Sequence, residues 1–207
     1  MNSTYQIFLT VAKTSAPRTA AKKVAAKTPV KVAASNRRIQ VRRSGVHGKG
    51  VFALQDIAEG ETIIEYVGEV ITWDEAQDRH PHDPSDPNHT FYFHVNEDKV
   101  IDALYGGNSS RWINHSCDPN CEADEENDRI FIKALRNIQA GEELNYDYGL
   151  IIDEPYTKKL KAEYPCWCGA KTCRGTLLSP KDREDTPEIP SQKKKKKAKK
   201  NSGKKKS

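Results

Sequence analysis

From about Arg37 onward the chain alternates short runs of β-branched and aromatic residues with punctuation by Gly, Asn, Asp and Pro. Arg38–Arg42, Val51–Leu54, Thr62–Tyr66, Phe91–Val95, Lys99–Asp102 and Arg129–Ala134 read as strands on this pattern, each too short to be more than a few residues of ladder. One helix start stands out. Thr72-Trp73-Asp74-Glu75 sets a threonine three residues ahead of a glutamate and leads into Ala76, the spacing of a capping box. His80–His89 holds three prolines and two aspartates and reads as a mobile loop. Thr14–Ala34 repeats small residues, lysine and proline with no apolar period, and Asp182–Ser207 is a charged, Lys-rich tail; both read as disordered. The pattern predicts a mainly β body of many short strands over about residues 37–178, with few short helices, between two disordered basic tails.

Charge sharpens that division. The chain has 207 residues and a net charge of +5, which hides a segregation. Residues 1–34 hold six basic residues and no acid, residues 181–207 hold twelve basic and four acidic, and residues 35–180 are net −9. Basic tails suit polyanions and an acidic body attracts cations. No apolar run approaches the roughly 18 residues that span a bilayer, and Met1–Ala12 lacks the basic start of a signal peptide. The expectation is an intracellular monomer with no membrane partner. The five cysteines are odd in number and three crowd into Cys166–Cys173, which argues for a reduced compartment and a metal site over a disulfide scaffold.

Five segments carry candidate chemistry. Gly48-Lys49-Gly50 is a tight turn before a strand, and Glu65-Tyr66-Val67-Gly68-Glu69 is a strand and turn; neither is informative alone. Arg111-Trp112-Ile113-Asn114-His115-Ser116-Cys117-Asp118-Pro119-Asn120 is different, because it packs polar side chains behind an apolar pair, which a purely structural strand would not choose. Gly141-Glu142-Glu143-Leu144-Asn145-Tyr146-Asp147-Tyr148 follows, and then Cys166-Trp167-Cys168 and Cys173.

In this order and at these separations, the series resembles the SET domain with a cysteine-rich post-SET segment, and the compact form without a cysteine-rich segment before it is similar to stand-alone bacterial SET proteins. The resemblance implies a disordered tail over residues 1–36, a SET domain over 37–150, a post-SET zinc-binding segment over 151–178 and a Lys-rich tail over 179–207. It implies a β-clip-like fold whose C-terminal part threads under the Asn114–Asn120 stretch, a pseudoknot that departs from the usual unthreaded topology. It also implies methyl transfer from S-adenosylmethionine to the ε-amine of a protein lysine. By that likeness the cofactor contacts are Gly48, Lys49, Gly50, Asn114, His115, Tyr148, Trp167 and Leu178. Tyr148 is the catalytic tyrosine, Tyr66 lines the lysine channel, and Tyr146 stands where relatives carry Phe or Tyr and disfavours further methylation, giving mainly mono- and dimethylation. Phe91, Tyr92 and Phe93 contribute aromatic wall, although core packing accounts for at least one of them equally well. Cys117, Cys166, Cys168 and Cys173 hold Zn2+, which takes four thiolates tetrahedrally, and Cys121 is left as a free, partly buried thiol.

Trp112, Asn145 and Phe91 depart from the more usual Phe, Thr and Tyr, so the substrate does not follow from likeness. The tails resemble those of linker histones and bacterial histone-like proteins, which points to a lysine-rich protein substrate and to non-specific DNA contact. The expected location is a bacterial cytoplasm or nucleoid, or a nucleus or chromosome if the source is eukaryotic or the protein is delivered to a host. Two alternatives stay open: a non-catalytic zinc-stabilised module that recognises lysine peptides, and a nucleic-acid-binding protein working through its tails.

Overall fold

The computed structural model describes residues 37–181, apart from positions 82, 84, 86–88 and 97. The expectations for residues 1–36 and for the Lys-rich tail from Asp182 lie outside the described residues. Ten short strands, two helices and a 3-10 turn make up the remainder, arranged as three small sheets. β1 (Ile39–Arg43) and β2 (Lys49–Ala53) form a hairpin, and β10 (Glu143–Tyr146) pairs antiparallel with β2. β7 (Asn114–His115) completes this sheet by pairing in parallel with β10, Asn114 opposite Asn145 and His115 opposite Tyr146.

The second sheet orders β3 (Thr62–Tyr66), β9 (Arg129–Ala134) and β8 (Cys121–Glu126); the third orders β4 (Glu69–Ile71), β6 (Val100–Asp102) and β5 (Tyr92–His94). β3 and β9 have the bounds expected from their β-branched runs. β8 was not expected: Cys-Glu-Ala-Asp-Glu-Glu has no β-branched residue, and its strand state comes from a six-residue ladder with β9. Burial alternates along β9, with Ile130, Ile132 and Ala134 inside, as the two-residue period of a half-buried strand requires.

These inward positions meet Val51, Ala53, Ile57, Phe93, Ile113, Ile138 and Leu144 in one core, to which Tyr66 and Tyr146 also belong. Thr72 caps α1 (Trp73–Arg79) by accepting the Glu75 backbone N–H at 3.2 Å. The expected box is only half formed, because the Glu75 carboxylate pairs with Arg79 one turn on. The 3-10 turn Ser109–Trp112 is capped by Asn108 and delivers the chain into β7. No helix or strand forms among the described residues of His80–His89.

The crossing near the C-terminus follows from the β7–β10 pairing. β10 lies between β2 and β7, and the loop after β7 folds around it. Ser116 N–H donates to Tyr146 O (3.1 Å), Asn120 N–H to Asn145 Oδ1 (3.1 Å) and Asn120 Nδ2 to Glu143 O (2.8 Å). The chain beyond Gly149 then builds a small second unit. Leu150, Ile152, Leu160, Tyr164 and Leu178 pack on one another, with Leu160 supplied by α2 (Lys158–Glu163), whose N-cap is Thr157. Bridges Leu150–Leu178 and Pro165–Thr176 fold this segment back on itself. The Thr157 cap is a start signal of the same kind as Thr72, but the six-residue helix leaves too little apolar period to read.

Candidate functional site

β3, β10 and the residues after it each place a tyrosine at one end of the main core. Tyr66 closes β3, Tyr146 closes β10, and Tyr148 follows two residues later with its side chain returned to the same side. The Tyr146 and Tyr148 rings lie 5.0 Å apart, Phe93 lies 5.1 Å from Tyr66 and 6.3 Å from Tyr146, and the His115 ring meets Tyr148 at 5.3 Å. Two of the hydroxyls are fixed: Tyr66 Oη donates to Phe91 O (3.0 Å) and Tyr148 Oη to Ile113 O (2.9 Å). Each hydroxyl proton is thereby engaged, which leaves phenolic lone pairs free to accept. Burial pushes all three phenols well above the ordinary tyrosine range, so each stays protonated across the physiological range.

The three expected wall residues separate. Phe93 joins the tyrosines and Phe91 packs against the same core, its ring 5.1 Å from Trp112. Tyr92 lies on the opposite face of β5 and packs with Ile71, Ala76 and Val100 beneath α1. The alternation of side chains along a strand is the reason, so a run of three aromatics serves two cores.

Gly48 leads into β2, which Lys49 and Gly50 begin, and the turn faces the β7 motif. Asn114 Nδ2 donates to Lys49 O (2.9 Å) and to Glu143 Oε1 (2.8 Å), and Ser44 Oγ donates to the same carboxylate oxygen (2.7 Å). Gly48 has φ +45°, the left-handed region that favours glycine. Gly50 leaves room for a side chain its motif does not reveal: a Cβ there would stand 2.1 Å from Glu143 Oε1 and displace that carboxylate from Ser44 and Asn114. The turn is therefore shaped around a protein carboxylate, and Asn114 spends its amide donors holding turn, β7 and β10 together. Ser44 and Glu143 were not anticipated. Glu143 sat in view within Gly-Glu-Glu-Leu-Asn-Tyr, but only the pairing of β2 with β10 assigns it.

His115 is buried, which pushes its imidazole down to about 4 against the opposing pull of Asp147. Its Nδ1 accepts the Tyr148 backbone N–H (3.1 Å), and its Nε2 lies 3.3 Å from Cys117 Sγ. Asp147 holds Arg174 through two bonds of 2.8 and 2.9 Å.

Cys117, Cys166, Cys168 and Cys173 come together although 49 residues separate the first from the second; their sulfurs lie within 4.8 Å of one another. Cys117 and Cys166 sulfurs stand 3.7 Å apart. Zinc–thiolate bonds of about 2.3 Å in a tetrahedron set sulfurs at roughly 3.8 Å, so this set fits the ion. Backbone N–H groups of Arg174 and Gly175 point at Cys117 and Cys173 sulfurs, each at 3.4 Å, as suits thiolates. Burial raises the Cys117 and Cys166 thiols, whereas at Cys168 the opposing backbone N–H bonds and neighbouring thiols outweigh burial and bring it down to about 6. Cys121 is not in the cluster. It lies buried in the main core, donates to Asn120 Oδ1 (3.4 Å) and is pushed up to about 12 by burial.

Trp167, between two of these cysteines, is 66% exposed. Leu178 is enclosed by Leu150, Ile152, Leu160 and Tyr164, so its side chain is spent in the second unit's own core.

Comparison with known proteins agrees with this geometry. Residues 48–149 match the model of the SET domain. The chain is 39% identical over 140 residues to "Histone-lysine N-methyltransferase trr" of Drosophila melanogaster, covering 66% of this chain and 6% of that protein. It is 42% identical over 144 residues to "Histone-lysine N-methyltransferase, H3 lysine-4 specific" of Saccharomyces cerevisiae (67% and 13%). A third relative, "Histone-lysine N-methyltransferase 2B" of Homo sapiens, is 40% identical over 147 residues (69% and 5%). Residues 48–149 of the chain are a SET domain. The chain spans only a small part, 13% or less, of the length of these relatives.

Proposed function

We propose that the protein is an S-adenosylmethionine-dependent protein-lysine N-methyltransferase, acting on a basic, histone or histone-like protein. The observation that carries this reading is the cluster of three phenols, Tyr66 and Tyr146 buried and Tyr148 half-buried, two with their protons tied to backbone carbonyls, next to the Asn114–His115 strand. When bound, S-adenosylmethionine would supply a sulfonium-linked methyl group, whose carbon a neutral amine can attack while the sulfur leaves as a neutral thioether. The remaining work falls to the chain. Tyr66 and Tyr148 offer lone pairs to the amine N–H bonds, which aim the nitrogen's own lone pair along one line. The apolar surroundings favour the uncharged amine, and the same lone pairs stabilise the charge that grows on nitrogen during transfer. Neutral phenols of raised pKa do not take the substrate's proton, so the amine must arrive deprotonated or lose its proton to solvent.

Gly48, Lys49, Gly50, Asn114 and His115 are the cofactor's seat in this reading, with Trp167 on the C-terminal side and Leu178 behind it in the core of that segment. Residues 151–178 are its post-SET segment and Cys117, Cys166, Cys168 and Cys173 its zinc ligands, holding that segment against the cofactor. Tyr146 fills space beside the amine and limits products mainly to mono- and dimethyl-lysine.

Charge supports the substrate class. Residues 37–150 hold 22 acidic and 11 basic residues, whereas 151–181 hold six basic and three acidic. An acidic body draws a lysine-rich substrate, and the basic tails hold nucleic acid without sequence preference. Removing residues 1–34 and 181–207 should lower KM for a free basic peptide and reduce activity on a DNA-bound basic protein. An intracellular setting among DNA and its proteins follows.

Calorimetric titration with S-adenosylmethionine separates this reading from a non-catalytic zinc module. Saturable binding to one site is expected, and the absence of binding to zinc-loaded protein would leave the module reading in its place.

A further inference from the structure

His115 joins two parts of the molecule that the fold could have left independent. Its side chain is 3% exposed and its ring lies against Tyr148. Because Nδ1 accepts the Tyr148 backbone N–H, that nitrogen carries no proton, and in the neutral ring the proton sits on Nε2. The Nε2–H bond then faces Cys117 Sγ at 3.3 Å. The other tautomer would set an N–H against the N–H of Tyr148.

A second path runs beside the first. Asp147, next to Tyr148 in the chain, grips the Arg174 guanidinium, and the Arg174 backbone N–H donates to the same Cys117 sulfur. Cys117, His115, Tyr148, Asp147 and Arg174 close a ring of contacts. Two N–H donors thus converge on one sulfur, and such bonds are stronger to a charged thiolate than to a neutral thiol.

We infer that His115 is a positioning residue that couples the Tyr148 backbone to the metal state of the cysteine cluster, one ring nitrogen serving each. This rests on reading the four cysteines as a zinc site and does not depend on methyl transfer. A bound ion holds Cys117 as thiolate, strengthens the Nε2–H bond and fixes the ring that holds Tyr148. By linkage the effect is reciprocal, so whatever orders Tyr148 raises metal affinity.

Two variants of the full chain divide the nitrogens. In His115→Asn the side-chain amide reaches the Nδ1 position, where its oxygen can keep the Tyr148 N–H, but nothing reaches Cys117. In His115→Gln the amide extends to the Nε2 position and can donate to sulfur, while the acceptor for Tyr148 is lost. Zinc affinity measured by competition with a chelating dye should fall at least about tenfold in His115→Asn, the usual scale for an outer-shell partner, and largely recover in His115→Gln. Exchange of the Tyr148 amide hydrogen should show the opposite order, protected in His115→Asn and fast in His115→Gln. In the unaltered protein, chelation should speed exchange of that amide by about tenfold or more. Equal zinc affinity in all three proteins, or Tyr148 exchange indifferent to chelation, would overturn the coupling. If both variants fail to fold, the chelation measurement on the unaltered protein decides alone. Coupling intact in a protein that transfers no methyl group would count against the proposed activity and leave this inference standing.

Discussion

The body over residues 37–150 and the unit over residues 151–181 solve the same problem with different means. The body closes three sheets on a core that includes Val51, Ile57, Phe93, Ile113, Ile130, Ile132, Ile138 and Leu144, and most of its long-range order is ladder and apolar packing. The second unit packs a small apolar core of Ile152, Leu160, Tyr164 and Leu178 against Leu150 at the end of the body, with one short helix and two isolated bridges. Its attachment is concentrated at a few points: Cys117 from the body among its three cysteines, and Arg174 on Asp147. The signs of charge differ as well, acidic in the body and basic beyond it. A region held by area tolerates the loss of one contact, whereas a region held by points can be released by one. The tyrosines belong to the first region, and the segment proposed to cover the cofactor belongs to the second.

The largest effect should come from the body. Phe93→Ala, at a side chain with no exposure, should lower global stability by about 3–5 kcal/mol in denaturant unfolding. Leu160→Ala should instead open residues 151–181 to protease while the main transition stays in place. A matching loss of global stability in both variants would erase the distinction between the regions.

Next in size is Tyr148→Phe. It removes the hydroxyl that reaches Ile113 O while keeping the ring against His115 and Tyr146. Methyl transfer should fall at least about a hundredfold, roughly 2.7 kcal/mol, with cofactor affinity and melting unchanged. Near-normal turnover would remove Tyr148 from the mechanism.

Removal of metal should act on the second region and, through His115, on the Tyr148 amide, leaving the rest of the body in place. Chelation should raise hydrogen exchange from about Glu163 onward while the β8–β9 and β3–β9 ladders stay protected. Protein purified without chelator should contain one zinc ion, and Cys121→Ser should leave that content unaltered. Zinc loss in this variant would mean the ligand set is wrong.

A smaller effect belongs to alkaline pH. Tyr66, Tyr146 and Tyr148 have phenols raised in the folded state, so the unfolded chain gives up those protons first. Their contribution to stability is complete below about pH 10, the ordinary tyrosine value, and is lost as pH rises above it. Thermal melts at increasing pH should show the decline beginning there, and it should lessen in Tyr146→Phe. The least energetic change is in product: Tyr146→Phe should move the mixture toward higher methylation by freeing space beside the amine. Abundant trimethyl-lysine from the unaltered protein would contradict that role.

Much of this division was legible in the residues, and the gaps have physical causes. β3 and β9 are plain because β-branched residues alternate along them. β8 is hidden because an acidic sequence becomes a strand only once β9 supplies its partner. β7 and β10 are two and four residues long, and their parallel pairing joins positions 31 apart, which no local period records. Among site residues, the cysteines and tyrosines could be named from their motif. Ser44, Glu143, Asp147 and Arg174 could not, because their roles are hydrogen bonds across elements. The two-sided use of Phe91-Tyr92-Phe93 was open to the alternation rule, but the short run did not fix which residue faced which core.

The central claim is lysine methylation, and mass spectrometry tests it most directly. Zinc-loaded protein is incubated with isotope-labelled S-adenosylmethionine and a purified lysine-rich histone or histone-like protein, beside the Tyr148→Phe variant. The account predicts labelled mono- and dimethyl groups on lysine ε-amines, sharply reduced with the variant. Cofactor binding without label on any lysine of such substrates, or equal label with the variant, would contradict it.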